Sequence, residues 1–211
     1  MSTQTSMTHS IYSIHPAVAY AQAIVRNLPD KTGKSIENWI ELINQSGVNG
    51  VEERRDWLKK EHKLGSTTAM LIAERSVGKT SEDTDSNEYL KIAEFYVKEM
   101  YAGPKSGLRP IHDKLIKLGQ SLGNDVKICP CKTIVPFYHQ NVFAQIKPTT
   151  RTRIDFGLAL KKYQDSFSDR LIDTGGIAKG DRITHRIAIS SIEDIDDDVK
   201  RWFKIAYDLD A

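Results

Sequence analysis

The stretch 153-RIDFGLAL-160 decides the fold of the larger half of this chain. Ile154, Phe156, Leu158 and Leu160 fall on one side of an extended backbone, and Arg153, Asp155, Gly157 and Ala159 on the other. That period of two is the pattern of a strand with one buried face. Working outward, residues 126–129, 133–138, 142–147 and 183–190 are further strand-like runs, and His139-Gln140-Asn141 reads as a hairpin connection. Strands that follow one another without intervening helices predict a mainly antiparallel sheet.

Helical patterns flank the strands. Tyr89, Ile92, Ala93, Tyr96, Val97 and Met100 share a helix face, stopped by Gly103-Pro104. Pro110 suits the first turn of a second helix, in which Ile111, Leu115, Leu118 and Leu122 follow at helical spacing. The last helix starts near Asp196, with acidic residues that complement its dipole, and buries Val199, Trp202, Phe203 and Ala206. The order of two helices, five strands and one helix predicts an α+β domain with helices packed on one face of the sheet.

The first part of the chain reads differently. Residues 14–78 hold four short helical patterns and no strand. AVAYAQAIVRNL is Ala-rich and closed by Pro29; a second helix, capped by Thr32 or Ser35, carries Ile36, Trp39, Ile40 and Ile43. A third spans 51–62 and a fourth 66–77, with Ala69, Ile72, Ala73 and Val77 in one stripe. KTSEDTDSN has no apolar residue. The division is therefore a flexible N-terminus (1–13), a helical domain (14–78), a linker (79–87) and an α+β domain (88–211).

Bulk properties bound the function classes. The chain has 211 residues, 39% hydrophobic and 27% charged, as an ordinary globular protein does. Cys129 and Cys131 are its two cysteines, too few for a disulfide scaffold, which points to a reduced, cytoplasmic setting. No signal-peptide pattern opens the sequence and no apolar run reaches membrane-spanning length. The net charge of +2 hides a polarised second half. Residues 147–186 hold nine Lys/Arg against five Asp, whereas residues 193–210 hold seven acidic against three basic residues.

The motifs TGKSIENWIELINQSG and WLKKEHKLGSTTAMLIAE, then YAGPKSGLRPIHDKL, CKTIVPFYHQNVFAQIKPTTRTRIDFGL and THRIAIS, resemble those of a bacterial two-domain family of unknown function. They cover most of residues 30–210. The resemblance implies the two-domain layout but carries no assigned chemistry. Domains similar to the second half also occur attached to nuclease-like domains, an association that implies work on nucleic acid. The family pattern is more basic around the hairpin than Tyr138-His139-Gln140-Asn141 is here.

Several motifs compete for a functional reading. AERSVGKT (73–80) fits a relaxed phosphate-loop pattern, but a phosphate loop follows a strand and opens a helix. Here a helix precedes the motif and an acidic linker follows it, so Gly78 reads as a helix stop. Gly33-Lys34-Ser35 reads as a helix cap. Cys129-Pro130-Cys131 with His112 or His139 falls short of a four-ligand zinc site. Asp125 with Gln145-Ile146-Lys147 fits loosely the Asp, then Gln-x-Lys, pattern of metal-dependent nucleases. His185 has the parity of Ile183, Ile187 and Ile189, which predicts a satisfied core histidine, while Gly175, Gly176 and Gly180 mark a flexible loop or plain turns. The charges of residues 54–63 interleave as on a salt-bridged surface helix, and Trp39 and Trp57 read as core.

The densest polar motif is KPTTRTRID (147–155). Arginine forks and threonine hydroxyls suit phosphate or carboxylate. The expected anion site is Lys132, Lys147, Thr149, Thr150, Arg151, Arg153 and Arg186, with Arg182 as a further candidate. The alternative is a solvated strand face on which Arg153 pairs with Asp155. No catalytic residue, metal ligand or cofactor site is predicted. The leading functional expectation is a non-enzymatic accessory protein that grips DNA or RNA phosphates. The alternatives are a module for a small anionic ligand or protein partner, and the metal-dependent nuclease.

Overall fold

The computed structural model describes residues 10–79 and 85–211. Residues 1–9 and 80–84, which make up most of the expected loose N-terminus and of the expected linker, lie outside the described residues. The chain divides into two compact units. One is His15–Tyr89; among described residues the other comprises 10–14 and Leu90–Ala211.

The N-terminal unit is helical: α1 (Pro16–Thr32), α2 (Ile36–Gln45), α3 (Val51–His62) and α4 (Ser66–Ser76). Leu28, Trp39, Ile43, Leu58, Ala69 and Ile72 form its core, with Trp57 packed against it, as the helical spacing predicts. Ser35 caps α2, its hydroxyl accepting from Asn38 N–H. Pro29 does not end α1. The helix runs one more turn, closed by left-handed Gly33, whose N–H donates to the Pro29 carbonyl. Proline lacks a donor but keeps its carbonyl, which here serves the cap. Arg54 is a staple: it donates to the carbonyl and hydroxyl of Ser76, to Asn44 and to the Val48 carbonyl. At the end of α4, Gly78 adopts φ +75° and donates to the Arg75 carbonyl. Ala73–Ser76 of AERSVGKT is thus the end of a helix, without the strand-loop-helix order of a phosphate loop, and Thr80 lies outside the described residues.

Helix α5 (Ser86–Met100) begins inside the expected linker, with Asp85 accepting from the N–H groups of Asn87 and Glu88. A 3-10 helix (Gly103–Leu108) and α6 (Arg109–Gln120) follow. Then come β1 (Lys127–Ile128), β2 (Val135–Tyr138), β3 (Val142–Pro148), β4 (Ile154–Leu158), β5 (Ile172–Asp173), α7 (Gly176–Lys179), β6 (His185–Ile189) and α8 (Asp197–Asp208). All pairs are antiparallel, in the order β1-β2-β3-β4-β6-β5. The fold is α+β. The pair β5 and α7 is too short for a periodicity to announce, and left-handed Gly175 and Gly180 bracket α7 as turn residues. Residues 10–13 are not loose: Tyr12 is buried, and Ser13 N–H donates to the Ile128 carbonyl at 2.8 Å.

The core lies on one face of this sheet. Ile154, Phe156 and Leu158 are buried, as the alternation of RIDFGLAL predicts. A β-bulge adds to them. Phe137 pairs with Ala144 but Tyr138 with Val142, leaving Phe143 as the extra residue. Phe143 therefore turns inward, stacking on Phe203 of α8 at 5.6 Å between ring centroids. Phe137 and Phe156 meet the same Phe203 ring edge-on at 5.1 and 4.8 Å. Helix α6 approaches the same cluster at Gly119, where a Cβ would strike the Phe137 ring. Its buried row is Ile111, His112, Leu115, Ile116 and Gly119, turned from the Leu118 and Leu122 row expected. No described helix is long and apolar enough to cross a membrane.

Candidate anion-binding cleft

Strand β3 ends at Pro148, which can donate no further ladder bond. A tight loop then returns to β4, and the N–H groups of Thr149 and Thr150 both donate to the Arg153 carbonyl. Arg151 sits exposed at its tip. Lys105 of the 3-10 helix donates from Nζ to the Pro148 carbonyl at 2.6 Å, which fixes that helix beside the strand end. Between these elements, the start of β2 and α5 lies a cleft of about 750 Å³. Lys105, Lys132, Lys147 and Arg151 line it, together with Thr133 and Thr149, and Glu99 is the one carboxylate in its wall. Phe95 of α5 also lines it and is 56% exposed. Among the described residues, no carboxylate pairs with Lys132, Lys147 or Arg151.

Four of the seven residues expected at the site therefore converge: Lys132, Lys147, Thr149 and Arg151. Thr150 lies in the same loop but outside the cleft wall, its hydroxyl accepting from Thr152 N–H. Arg153 and Arg186 are occupied elsewhere. Asp155 faces away from the core, and Arg186 donates to its Oδ1 at 3.0 Å. Arg153 Nε lies 3.0 Å from the same oxygen as an ion pair without hydrogen-bond geometry. Thr149 Oγ1 donates to Asp155 Oδ2 at 2.8 Å. Two arginines meet on one carboxylate, and that carboxylate in turn orients a threonine of the cleft. Arg153 and Arg186 thus support the wall rather than line it. The pairing of Arg153 with Asp155, the alternative drawn from the sequence, is present, yet it spares Arg151. Arg182 sits at the other end of β3, donating to the Val142 carbonyl and paired with buried Asp210.

Sequence reasoning missed Lys105, Phe95 and Thr133. Lys105 lies inside the motif YAGPKSGLRPIHDKL, but its place beside Pro148 is a tertiary fact with no local signal.

The other constellations do not assemble. Asp125 accepts from Tyr207 at 2.8 Å and pairs with His139 Nε2 at 2.8 Å, beside the β2–β3 hairpin. Lys147 is five residues further along β3 from Val142, roughly 17 Å away at strand rise. A metal held by Asp125 therefore could not have its water oriented by Lys147. His112 is fully buried with Nδ1 on the Tyr101 hydroxyl at 3.1 Å, and burial pushes its pKa down to about 4. His185 is buried, with Nδ1 on Thr184 Oγ1 at 2.9 Å and its ring 4.3 Å from Phe167, as its parity predicts. Cys129 is buried and burial raises its thiol to about 12, far from the thiolate a metal or electrophile needs. Among the described residues no group of three or more His, Cys, Asp or Glu side chains is placed to hold a metal ion.

Residues 97–210, which carry the whole sheet and the cleft except for Phe95 and Tyr96, match the family model described as domain of unknown function DUF5655. The chain belongs to the DUF5655 family. Residues 20–76, within the helical unit, match the model described as domain of unknown function DUF4287. The two-domain layout is thus that of a family of unknown function, and the cleft belongs to its DUF5655 part. No curated protein and no solved structure matches the chain.

Proposed function

We propose that the DUF5655 domain binds nucleic-acid phosphates in the cleft at the end of β3, as a non-enzymatic accessory protein. The observation that carries this reading is the meeting of Lys132, Lys147 and Arg151, unpaired, around a concavity with a single carboxylate in its wall. Cations left without acidic partners in a concave site raise the local concentration of anions. Ammonium and guanidinium groups contact phosphate oxygens without reading base identity. Exposed Phe95 offers a face on which a base of a single strand stacks, a sequence-tolerant contact. The cleft volume also suits a small anionic ligand, which is the competing reading.

Fluorescence anisotropy with a labelled single-stranded oligonucleotide tests the assignment. Lys147→Ala and Arg151→Ala each weaken binding about five- to tenfold. Arg153→Ala, whose side chain is committed to Asp155, weakens it less than about twofold. Binding that ignores Lys147→Ala and Arg151→Ala removes the cleft from the account. Saturable thermal stabilisation by a small anion, with no oligonucleotide binding, selects the competing reading.

A further inference from the structure

The N-terminal unit contains a second cavity that the reading above does not use. It measures about 480 Å³ and is lined by the ends of α1, α3 and α4 and by Trp39 of α2. Lys31, Lys34, Lys63 and His62 stand in its wall with Thr68, and no carboxylate does. Its floor is apolar, from Leu28 and Leu64.

Three features set this wall apart from the rest of the unit. On the outer surface of α3 charges are matched: Arg55 pairs with Asp56 and Lys60 with Glu61. In the cavity they are not, and Lys34 rests instead over the Trp39 ring at 5.7 Å. His62 meets Trp39 and Trp57 edge-on at 5.0 and 4.6 Å, and its Nε2 is buried without a hydrogen-bond partner. It is the one buried side-chain nitrogen or oxygen so left among the described residues of this unit. Lys63 closes α3 at φ 56°, the one non-glycine residue with positive φ among those described. The residue after α1 is Gly33, and α4 is followed by Val77 and then Gly78, both glycines being left-handed as that backbone favours. Lys63 thus stands in the cavity wall at a conformational cost that glycine would avoid, as strained residues at binding sites do. Helix α4 opens on the same cavity at Gly65, which offers no side-chain cap to its first N–H groups.

We propose that this cavity is a binding site for a small phosphate-bearing molecule, with the phosphate held by Lys34, Lys63 and the start of α4, and its apolar body against Trp39 and Leu64. The site is independent of the β3 cleft. It also gives a use to TGKS (32–35), which supplies Lys34 beside a helix cap rather than a nucleotide loop.

The test is an amide-resolved NMR titration of the full chain with inorganic pyrophosphate. The expected result is a saturable set of shifts at Lys34, Gly65, Thr68 and the Trp39 indole. Lys34→Ala and Lys63→Gly each lower affinity about tenfold. Lys63→Gly also raises the melting temperature, so its loss of binding is not a loss of folding. A triple variant at Lys132, Lys147 and Arg151 leaves these shifts unchanged, which separates this site from the cleft. Shifts confined to the cleft, affinity untouched by Lys34→Ala and Lys63→Gly, or a response to an oligonucleotide but not to pyrophosphate each overturn the assignment.

Discussion

The two ends of β3 sit in one sheet and treat charge in opposite ways. At the hairpin end the charges of Asp210, Arg182 and Asp125 are partnered. Asp210, with a side chain 3% exposed, accepts from the backbone and side-chain N–H groups of Asn141 and pairs with Arg182. Asp125 accepts from Tyr207 and pairs with His139, and Lys162 donates to the Leu209 carbonyl. These contacts tie the C-terminus to the β2–β3 turn. At the Pro148 end, Lys132, Lys147 and Arg151 have no acidic partner and line a cleft. Paired charge at one end serves the fold; unpaired charge at the other contributes little to it and is free to meet a ligand.

Substitutions should separate the two ends. The largest effect is expected at the paired end: Asp210→Ala strands the backbone and side-chain N–H groups of Asn141, removes the partner of half-exposed Arg182, and costs about 2–4 kcal/mol in urea unfolding. A loss near zero would place that cluster with the cleft rather than with the fold. A second test concerns His112, buried on α6 against Tyr101. Its pKa in the folded protein is lowered to about 4, from 6.5, mainly by burial and then by Arg109. The neutral ring is thus favoured by folding. Its contribution is complete above about pH 6.5 and is lost as pH falls towards 4, by up to about 3 kcal/mol, a fall that His112→Gln should flatten. Smaller is the cost of Gly119→Ala, where the added methyl strikes the Phe137 ring in the core shared by both ends: about 1–3 kcal/mol. The smallest stability change is expected at the unpaired end. Lys132→Ala, Lys147→Ala and Arg151→Ala together should alter unfolding by no more than about 0.5 kcal/mol. A large loss there would mean that the cations are structural after all.

The legible parts of the molecule were those with local causes. RIDFGLAL announced its strand because a half-buried strand must alternate, and the row Val199, Trp202, Phe203, Ala206 announced α8 because a helix packed on a sheet must be apolar on one stripe. Pro29 misled because a proline one turn from a helix end can be carried inside it, its carbonyl still accepting from the Gly33 cap. The Phe143 bulge was illegible because an extra residue in a ladder has no periodic signature, and the two-residue β5 is shorter than any period. Of the candidate site, Lys147, Thr149 and Arg151 could be read together as neighbours in sequence. Lys132 was weighed with them and does join them. Lys105 and Phe95 reach the cleft only through the packing of α5 and the 3-10 helix, which local pattern does not encode. Arg153 was drawn in by strand alternation and Arg186 by charge; Asp155, opposite Lys147 across the ladder, claims both.

The proposed role of the unpaired end is tested most directly by the salt dependence of oligonucleotide binding. Three phosphate contacts from Lys132, Lys147 and Arg151 predict a slope of log K against log salt of roughly −2 for single-stranded nucleic acid. The triple alanine variant should bind weakly with a slope near zero while remaining folded. A slope that is unchanged in that variant would show that the cleft is not where phosphate is held.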